Sequence, residues 1–165
     1  RIRLDEHCFY VDVEYILYPV PYVETVIYYD IFVYMYRLAQ AAQSVSILGY
    51  QKHIQNHIDV IFHVLDYINE YKRQPGYDLK KADYMAMRIA EMTHDQVDIF
   101  TSFPVSDRSI RRRFREFGRT VREKRPYVYE KSGEYSGMLR LLRRSGFRFY
   151  SVIVKMSKVR NKAAD

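Results

Sequence analysis

An apolar stripe at helical spacing constrains the fold more than any other feature of this sequence. Between residues 51 and 73, isoleucine and leucine recur at i, i+4, i+7, i+11 and i+14. An α-helix places such positions on one face, because it completes a turn about every 3.6 residues. Pro75 and Gly76 follow, and both residue types favour a helix end. The sequence therefore predicts a long helix whose buried stripe is formed by Ile54, Ile58, Ile61, Leu65 and Ile68.

Shorter patterns predict the other elements. Helices are expected over 22–40, 79–92, 95–103, 106–117 and 134–145, although the β-branched residues and tyrosines of 22–40 also fit a strand. Strands are expected over 8–20, 127–129 and 147–155, where β-branched and aromatic residues are concentrated. Ser106 and Gly118 are the expected caps of the helix between them. The predicted fold is α+β, mainly helical, with a small sheet formed by the N- and C-terminal strands.

Charge divides the chain into two parts. Residues 1–105 hold 9 Lys and Arg against 14 Asp and Glu, a net charge of −5. Residues 106–165 hold 18 against 6, a net charge of +12. A concentrated positive block is typical of a surface that binds a polyanion, and pairing with the acidic part could neutralise only part of it. We therefore divide the chain into an acidic, tyrosine-rich helical core region, 1–105, and a basic nucleic-acid-binding region, 106–165, as one domain with a basic extension.

Arginines gather on the outer faces of two predicted helices in the basic region. On a helix, five arginines stand opposite the apolar positions Ile110, Phe114 and Phe117, namely Arg108, Arg111, Arg112, Arg115 and Arg119. Guanidinium groups match phosphate oxygens, and the neighbouring aromatic residues suit stacking on unpaired RNA bases. The last residues, 156–165, are expected to be a mobile basic tail. The predicted nucleic-acid-binding residues are Arg108, Arg111, Arg112, Arg115, Arg119, Arg122, Lys124, Arg125, Arg140, Arg143, Arg144, Lys155, Lys158, Arg160 and Lys162.

Residues 96–118 resemble a helix-turn-helix DNA-binding unit, whose second helix often carries a Val-Ser-x-x-Ser/Thr-Ile pattern. Phe100 and Pro104 stand where that family has a small residue and a glycine. The resemblance implies a recognition helix that enters the major groove of DNA. The matching residues are Val105, Ser106, Ser109 and Ile110.

The basic region is also similar in composition to ribosomal proteins. The favoured function is thus a non-enzymatic, RNA-binding structural subunit of a ribonucleoprotein assembly such as a ribosome. RNA is favoured over DNA as a partner, and region 1–105 is expected to face other protein subunits, since tyrosine suits interfaces. One alternative is a helix-turn-helix DNA-binding protein. Another is an accessory subunit of a membrane or other multiprotein complex, which would expose residues 28–36 as an apolar belt.

Several classes of site are not expected. The single cysteine, Cys8, excludes a disulfide framework and fits an intracellular, reducing compartment, mitochondrial or cytoplasmic. The pair His53 and His57 has zinc-ligand spacing but lacks the Glu of an HExxH motif, so we predict no metal, and no cofactor motif occurs. No transmembrane span is expected, because charged residues interrupt 22–39. The chain begins with Arg1, as expected of a processed product, a fragment or a partial sequence.

Overall fold

A computed structural model describes residues 2–35 and 46–162, with side chains up to Lys158. This part of the chain folds as eight α-helices and one 3₁₀ helix, Val20–Tyr22. Helices α3 and α4 are the longest, and α1, α5, α6, α7 and α8 surround them. The α-helices are α1 Asp12–Leu17, α2 Ile47–Lys52, α3 Ile54–Arg73, α4 Leu79–Ser102, α5 Arg108–Lys124, α6 Pro126–Tyr135, α7 Gly137–Arg144 and α8 Tyr150–Lys162.

The predicted sheet is wrong, because the described residues contain no strand. The interval 8–20 holds α1, the interval 127–129 lies in α6, and 147–155 leads into α8. In α8 the buried residues are Tyr150, Ile153, Val154 and Ser157, which is helical spacing. The β-branched composition of these intervals favoured strands, but the buried positions follow a helical period. Packing therefore overrides the weaker β-propensity.

The stripe on α3 is confirmed. Its five residues are between 0% and 5% exposed. The helix begins at Ile54 rather than at residue 51. His53 has non-helical dihedral angles, φ −111° and ψ 22°, and therefore separates α2 from α3. It ends at Arg73, since Gln74 adopts the extended backbone that a following proline favours.

Helix α4 replaces two predicted helices, 79–92 and 95–103, with one helix of 24 residues. The side chain of Asp78 caps its start by accepting from the backbone N–H groups of Lys80 and Lys81. Two side chains of the polar run between the predicted helices make hydrogen bonds within the fold. Thr93 donates to the carbonyl oxygen of Ile89, and Gln96 bonds to the ring of His57. Helix α4 ends at Ser102, shortly before Pro104, as predicted.

The basic region shares the core of the acidic region. Phe100 of α4 and Phe114 of α5 stack with ring centroids 4.4 Å apart. Helix α5 does not end at residue 117, because its apolar face continues to the fully buried Val121. Gly118 is thus an interior helical residue rather than a C-cap, and apart from the extended Arg125 the interval 119–133 is helical. One hydrophobic cluster reaches from Leu17 to Val154.

The helix predicted over 22–40 is wrong for the residues described. Residues 23–35 form neither helix nor strand, and all of them are exposed. Residues 36–40 lie outside the described part of the chain. The side chains of 23–35 stay exposed, so helical propensity alone does not order this segment as a helix.

A buried histidine makes the fold sensitive to acid. His57 lies against the rings of Tyr10 and Tyr50, with ring centroids 5.0 and 5.5 Å away. Its Nδ1 lies 2.5 Å from the amide nitrogen of Gln96. Burial lowers the pKa of His57 from 6.5 to about 4, because the cavity disfavours the charged ring.

We expect this histidine to destabilise the fold as the pH falls. Between about pH 6.5 and 4 the unfolded chain binds the proton and the folded chain does not, so this stability is fully present above the window and is lost as the pH falls through it. The loss from His57 is about 2 kcal/mol between roughly pH 7.5 and pH 5. Urea unfolding at both pH values should show a smaller pH dependence for His57→Gln than for the wild type. Equal slopes in His57→Gln and the wild type would contradict the assignment.

Candidate functional site

Helix α5 carries the strongest concentration of positive charge. Its start is fixed by Asp107, not by Ser106 as predicted, and the Asp107 carboxylate accepts from the backbone N–H groups of Ser109 and Ile110 at 2.9 and 3.3 Å. Ile110, Phe114 and Phe117 point into the core, as predicted. Their burial fixes the rotation of the helix and turns its arginines outward.

These arginines form one continuous surface, which we call the arginine face. Five of them line an open depression of about 580 Å³ together with Glu116. All six lining residues belong to α5, so the depression is a groove between side chains rather than an enclosed cavity. Arg122 extends the same face by one turn. The members of the arginine face are Arg108, Arg111, Arg112, Arg115, Arg119 and Arg122.

Acidic partners neutralise little of this face. Arg112 pairs with Glu116 at 2.9 Å, and Arg119 approaches Glu123 at 3.8 Å. Both pairs are exposed and follow i, i+4 spacing, for which typical contributions are about 0.3–0.5 kcal/mol. Arg108 and Arg115 are exposed and have no ion pair among the described residues. The face therefore keeps a net positive charge that is available to an anionic ligand.

The turn between α7 and α8 adjoins the arginine face. Arg111 is half-buried and donates from Nη2 to the carbonyl oxygen of Phe147 at 2.8 Å. The next residues, Arg148 and Phe149, are exposed. Sequence reasoning missed Arg148 because it lay in a predicted strand. This turn therefore carries an exposed cation and an exposed aromatic ring next in sequence to Phe147, whose carbonyl oxygen contacts Arg111.

Three residues predicted to bind nucleic acid make contacts between helices. Arg143 donates to the carbonyl oxygen of Tyr129 and to Oγ of Ser132, and its guanidinium carbon lies 3.7 Å from the centroid of the Tyr129 ring. Arg125 is buried and donates to Asn69 at 3.3 Å, while Lys124 pairs with Asp66 at 2.6 Å. Burial lowers the pKa of Arg143 to about 10 and also lowers the pKa of Arg125.

Replacing Arg143 should lower the stability of the fold. Arg143→Ala is expected to lower the free energy of unfolding by about 2–3 kcal/mol, because the hydrogen bonds of a charged group to Tyr129 and Ser132 are lost together with its stacking on the Tyr129 ring. Arg140 is on the same helix but exposed, so Arg140→Ala should change stability by less than about 0.5 kcal/mol. Chemical unfolding of both variants provides the test. Equal stabilities would contradict the structural role of Arg143.

The remaining predicted cations lie on α7 and α8. Arg140, Arg144, Lys155 and Lys158 are exposed. Arg160 and Lys162 belong to α8, but their side chains lie outside the described residues. The predicted mobile tail is wrong for residues 156–162, which continue α8.

An acidic cluster joins the N-terminal segment to the helices. His63 Nδ1 lies 2.7 Å from a carboxylate oxygen of Asp5 and 3.7 Å from one of Glu14. The buried Glu14 also accepts from the backbone N–H of Asp5 and from the hydroxyl of Tyr18. This is the one group of three potential metal ligands among residues 2–35 and 46–162. Its internal hydrogen bonds connect the N-terminal segment to α1 and α3, and we assign no metal to it. No sequence motif predicts this cluster, since His63 is far along the chain from Asp5 and Glu14.

Comparison with protein-family models, curated proteins and solved structures finds no significant match to this chain. Among the described residues, no helix is both long enough and apolar enough to cross a membrane. Four residues carry the helix-turn-helix resemblance, and they lie in the turn before α5 and in its first turn. Function must therefore be argued from the geometry of the surface itself.

Proposed function

We propose that this protein is a non-enzymatic, RNA-binding structural subunit of a ribonucleoprotein assembly of the ribosomal type. The observation that carries the proposal is the arginine face of α5. Exposed guanidinium groups spaced along one helix can each bind a phosphate oxygen, and their side chains reach over a length that spans several nucleotides. The apolar side of the same helix is buried, so this surface is rigidly oriented.

Two features favour a single-stranded nucleic acid. Asn161 is the only Asn or Gln side chain after residue 105, whereas readers of adenine in duplex DNA commonly use Asn or Gln. Phe149 is exposed next to Arg148, so an unpaired base could stack on its ring while arginines hold the backbone. Both features support phosphate binding with base stacking rather than the reading of base edges.

The proposal is tested by fluorescence anisotropy with labelled oligonucleotides. We expect the full chain to bind unrelated single-stranded RNAs with similar affinities and to bind duplex DNA more weakly. Strong preference for one duplex sequence would support the helix-turn-helix alternative instead. Absence of binding to every RNA and DNA probe at low salt would refute nucleic-acid binding by this chain.

A second candidate function is supported by a different surface. Residues 23–35 are exposed, and they include the part of the apolar belt, 28–35, that was expected of an accessory subunit in a multiprotein complex. Uncovered apolar surface of this extent is typical of interaction sites. The two candidates are compatible, because a ribonucleoprotein subunit can bind RNA at one surface and protein at another.

A further inference from the structure

A cleft lies at the side of the arginine face, where α5 meets the helices packed against it. It is bounded by Gly118 of α5, Tyr129 of α6 and Arg143 of α7, and its volume is about 210 Å³. Phe114 and Leu139, each 1% exposed, close its inner side. We call it the three-helix cleft. Unlike the groove along the arginine face, which α5 alone lines, it can enclose a ligand from several sides.

The three-helix cleft is strongly positive. Four arginines line it, and no acidic residue does. Arg119 approaches Glu123 at 3.8 Å, whereas the other three have no ion pair among the described residues. Guanidinium groups brought together repel one another, so an anion that enters the cleft also relieves this repulsion. The four are Arg115, Arg119, Arg122 and Arg143.

Arg143 gives an independent indication of an anion. Its Nη atoms donate to α6, but its Nε is buried and has no hydrogen-bond partner among the described residues. Burial lowers the pKa of Arg143 to about 10, because removal from water disfavours the charged form. Stacking on the ring of Tyr129 offsets part of this cost but supplies no negative charge. A cation held in this way is stabilised by a counter-ion bound nearby.

Gly118 keeps the cleft open on the side of α5. It lies inside the helix, where glycine is less favourable than alanine. Close packing does not require glycine here, because a Cβ would lie 3.9 Å from Cε2 of Tyr129, an ordinary contact distance. Arg115 and Arg122 are three positions before and four positions after Gly118, so they flank it on one side of the helix. The space that the glycine leaves is therefore available to a ligand held by these arginines.

We propose that the three-helix cleft binds a phosphate monoester, namely the phosphorylated end of an RNA chain. This inference rests on the proposed RNA-binding function and adds a class of substrate to it. A terminal monoester carries roughly 1.5–2 negative charges near pH 7, whereas an internal phosphodiester carries one. The excess of positive charge therefore favours the monoester. A chain end can also enter a cleft that is closed on its inner side, whereas an internal phosphate has chain on both sides.

The arginines divide the work of binding. The side chains of Arg115, Arg119 and Arg122 are exposed, so they can turn towards the phosphate and donate to its oxygens in pairs. Arg143 uses its Nη atoms to hold α6 and contributes charge from the wall of the cleft.

Comparison of RNA ends tests the class of ligand. One single-stranded sequence is prepared with a 5′-phosphate, with a 3′-phosphate, or with hydroxyl groups at both ends. A hydroxyl-ended RNA that is two nucleotides longer carries nearly the same charge as the phosphorylated RNAs and serves as the control. We expect at least one phosphorylated RNA to bind the full chain about tenfold more tightly than both hydroxyl-ended RNAs, as one further charge-assisted hydrogen bond would give. Inorganic phosphate, added at constant ionic strength, should remove this preference by occupying the cleft.

Filling the cleft tests its position. Gly118→Leu places a side chain in the cleft and leaves every arginine in the chain. We expect this variant to lose the preference for the phosphorylated end and to bind hydroxyl-ended RNA nearly as well as the wild type. Gly118→Ala is the matched control, because its methyl group lies at contact distance from Tyr129, and it should keep the preference. Circular dichroism shows whether both variants fold.

A pair of exposed arginines provides a test that does not alter packing. Arg122 lines the three-helix cleft but not the groove of the arginine face, and Arg108 lines the groove but not the cleft. Arg122→Gln should lower the preference for the phosphorylated end from about tenfold to about threefold or less. Arg108→Gln should weaken all RNAs alike and leave the preference unchanged.

Three results would overturn the proposal. Equal affinities for the phosphorylated RNAs and the longer hydroxyl-ended RNA would show that only total charge matters. A preference that survives in both Gly118→Leu and Arg122→Gln would place the phosphate outside the cleft. RNA binding with no preference for either phosphorylated end would refute this inference and leave the arginine face as the RNA-binding surface. Absence of binding to every RNA would instead refute the proposed function, and this inference with it.

Discussion

Replacing Phe114 with alanine is expected to lower the free energy of unfolding by about 3–5 kcal/mol. Phe114 is 1% exposed, stacks on Phe100 of α4, and meets the edge of Phe147 with ring centroids 5.2 Å apart. Its removal would leave a cavity where the acidic and basic regions join. The effect should approach the whole stability of a marginal domain.

Phe149→Ala is the matched control for this prediction. Phe149 also belongs to the basic region but is 50% exposed, so its replacement should lower the free energy of unfolding by less than about 1 kcal/mol. Urea unfolding followed by circular dichroism measures both variants. Equal losses would mean that α5 is not part of the shared core, and the orientation of its arginines would then be unsupported.

Removing three arginines from the arginine face should weaken RNA binding by about 100-fold at roughly 0.1 M salt. The variant is Arg112→Gln, Arg115→Gln and Arg119→Gln in one chain. Each lost phosphate contact on a single strand releases about 0.7 fewer counterions, which corresponds to about fivefold in affinity at this salt concentration. All three side chains are exposed, so the fold should remain intact.

A charge-matched variant separates the site from the net charge. Arg3→Gln, Arg73→Gln and Arg88→Gln remove the same three charges from exposed positions outside the basic region. We expect this variant to bind RNA within about threefold of the wild type, since screened distant charges contribute little. If both triple variants lost affinity equally, binding would reflect overall charge and not a site on α5.

The sequence predicted well those features that depend on the helical period alone. The stripe of α3 and the apolar side of α5 are clear examples, because each buries residues three and four positions apart. In α8 the same period was present in Tyr150, Ile153 and Val154, but β-branched composition outweighed it in the prediction. In α8 the spacing of the apolar residues is therefore a better indicator of secondary structure than their β-branched composition.

The roles of single arginines could not be predicted from their own helix. Arg140 and Arg143 both lie on α7, yet only Arg143 meets a buried partner surface, which α6 supplies through Tyr129 and Ser132. Such a partner depends on how two helices cross, and helical spacing within α7 does not encode that crossing. For the same reason the contact of Arg111 with Phe147 gave no sequence signal.

The most direct test of RNA binding by the arginine face is a salt titration. Affinity of the full chain for a single-stranded RNA is measured from about 50 to 300 mM salt, beside the two triple variants. We predict a steep linear fall in the logarithm of affinity for the wild type and for Arg3/Arg73/Arg88→Gln, with a slope smaller by about 2 for Arg112/Arg115/Arg119→Gln. A wild-type affinity that does not change with salt, or one slope shared by all three proteins, would contradict the proposal.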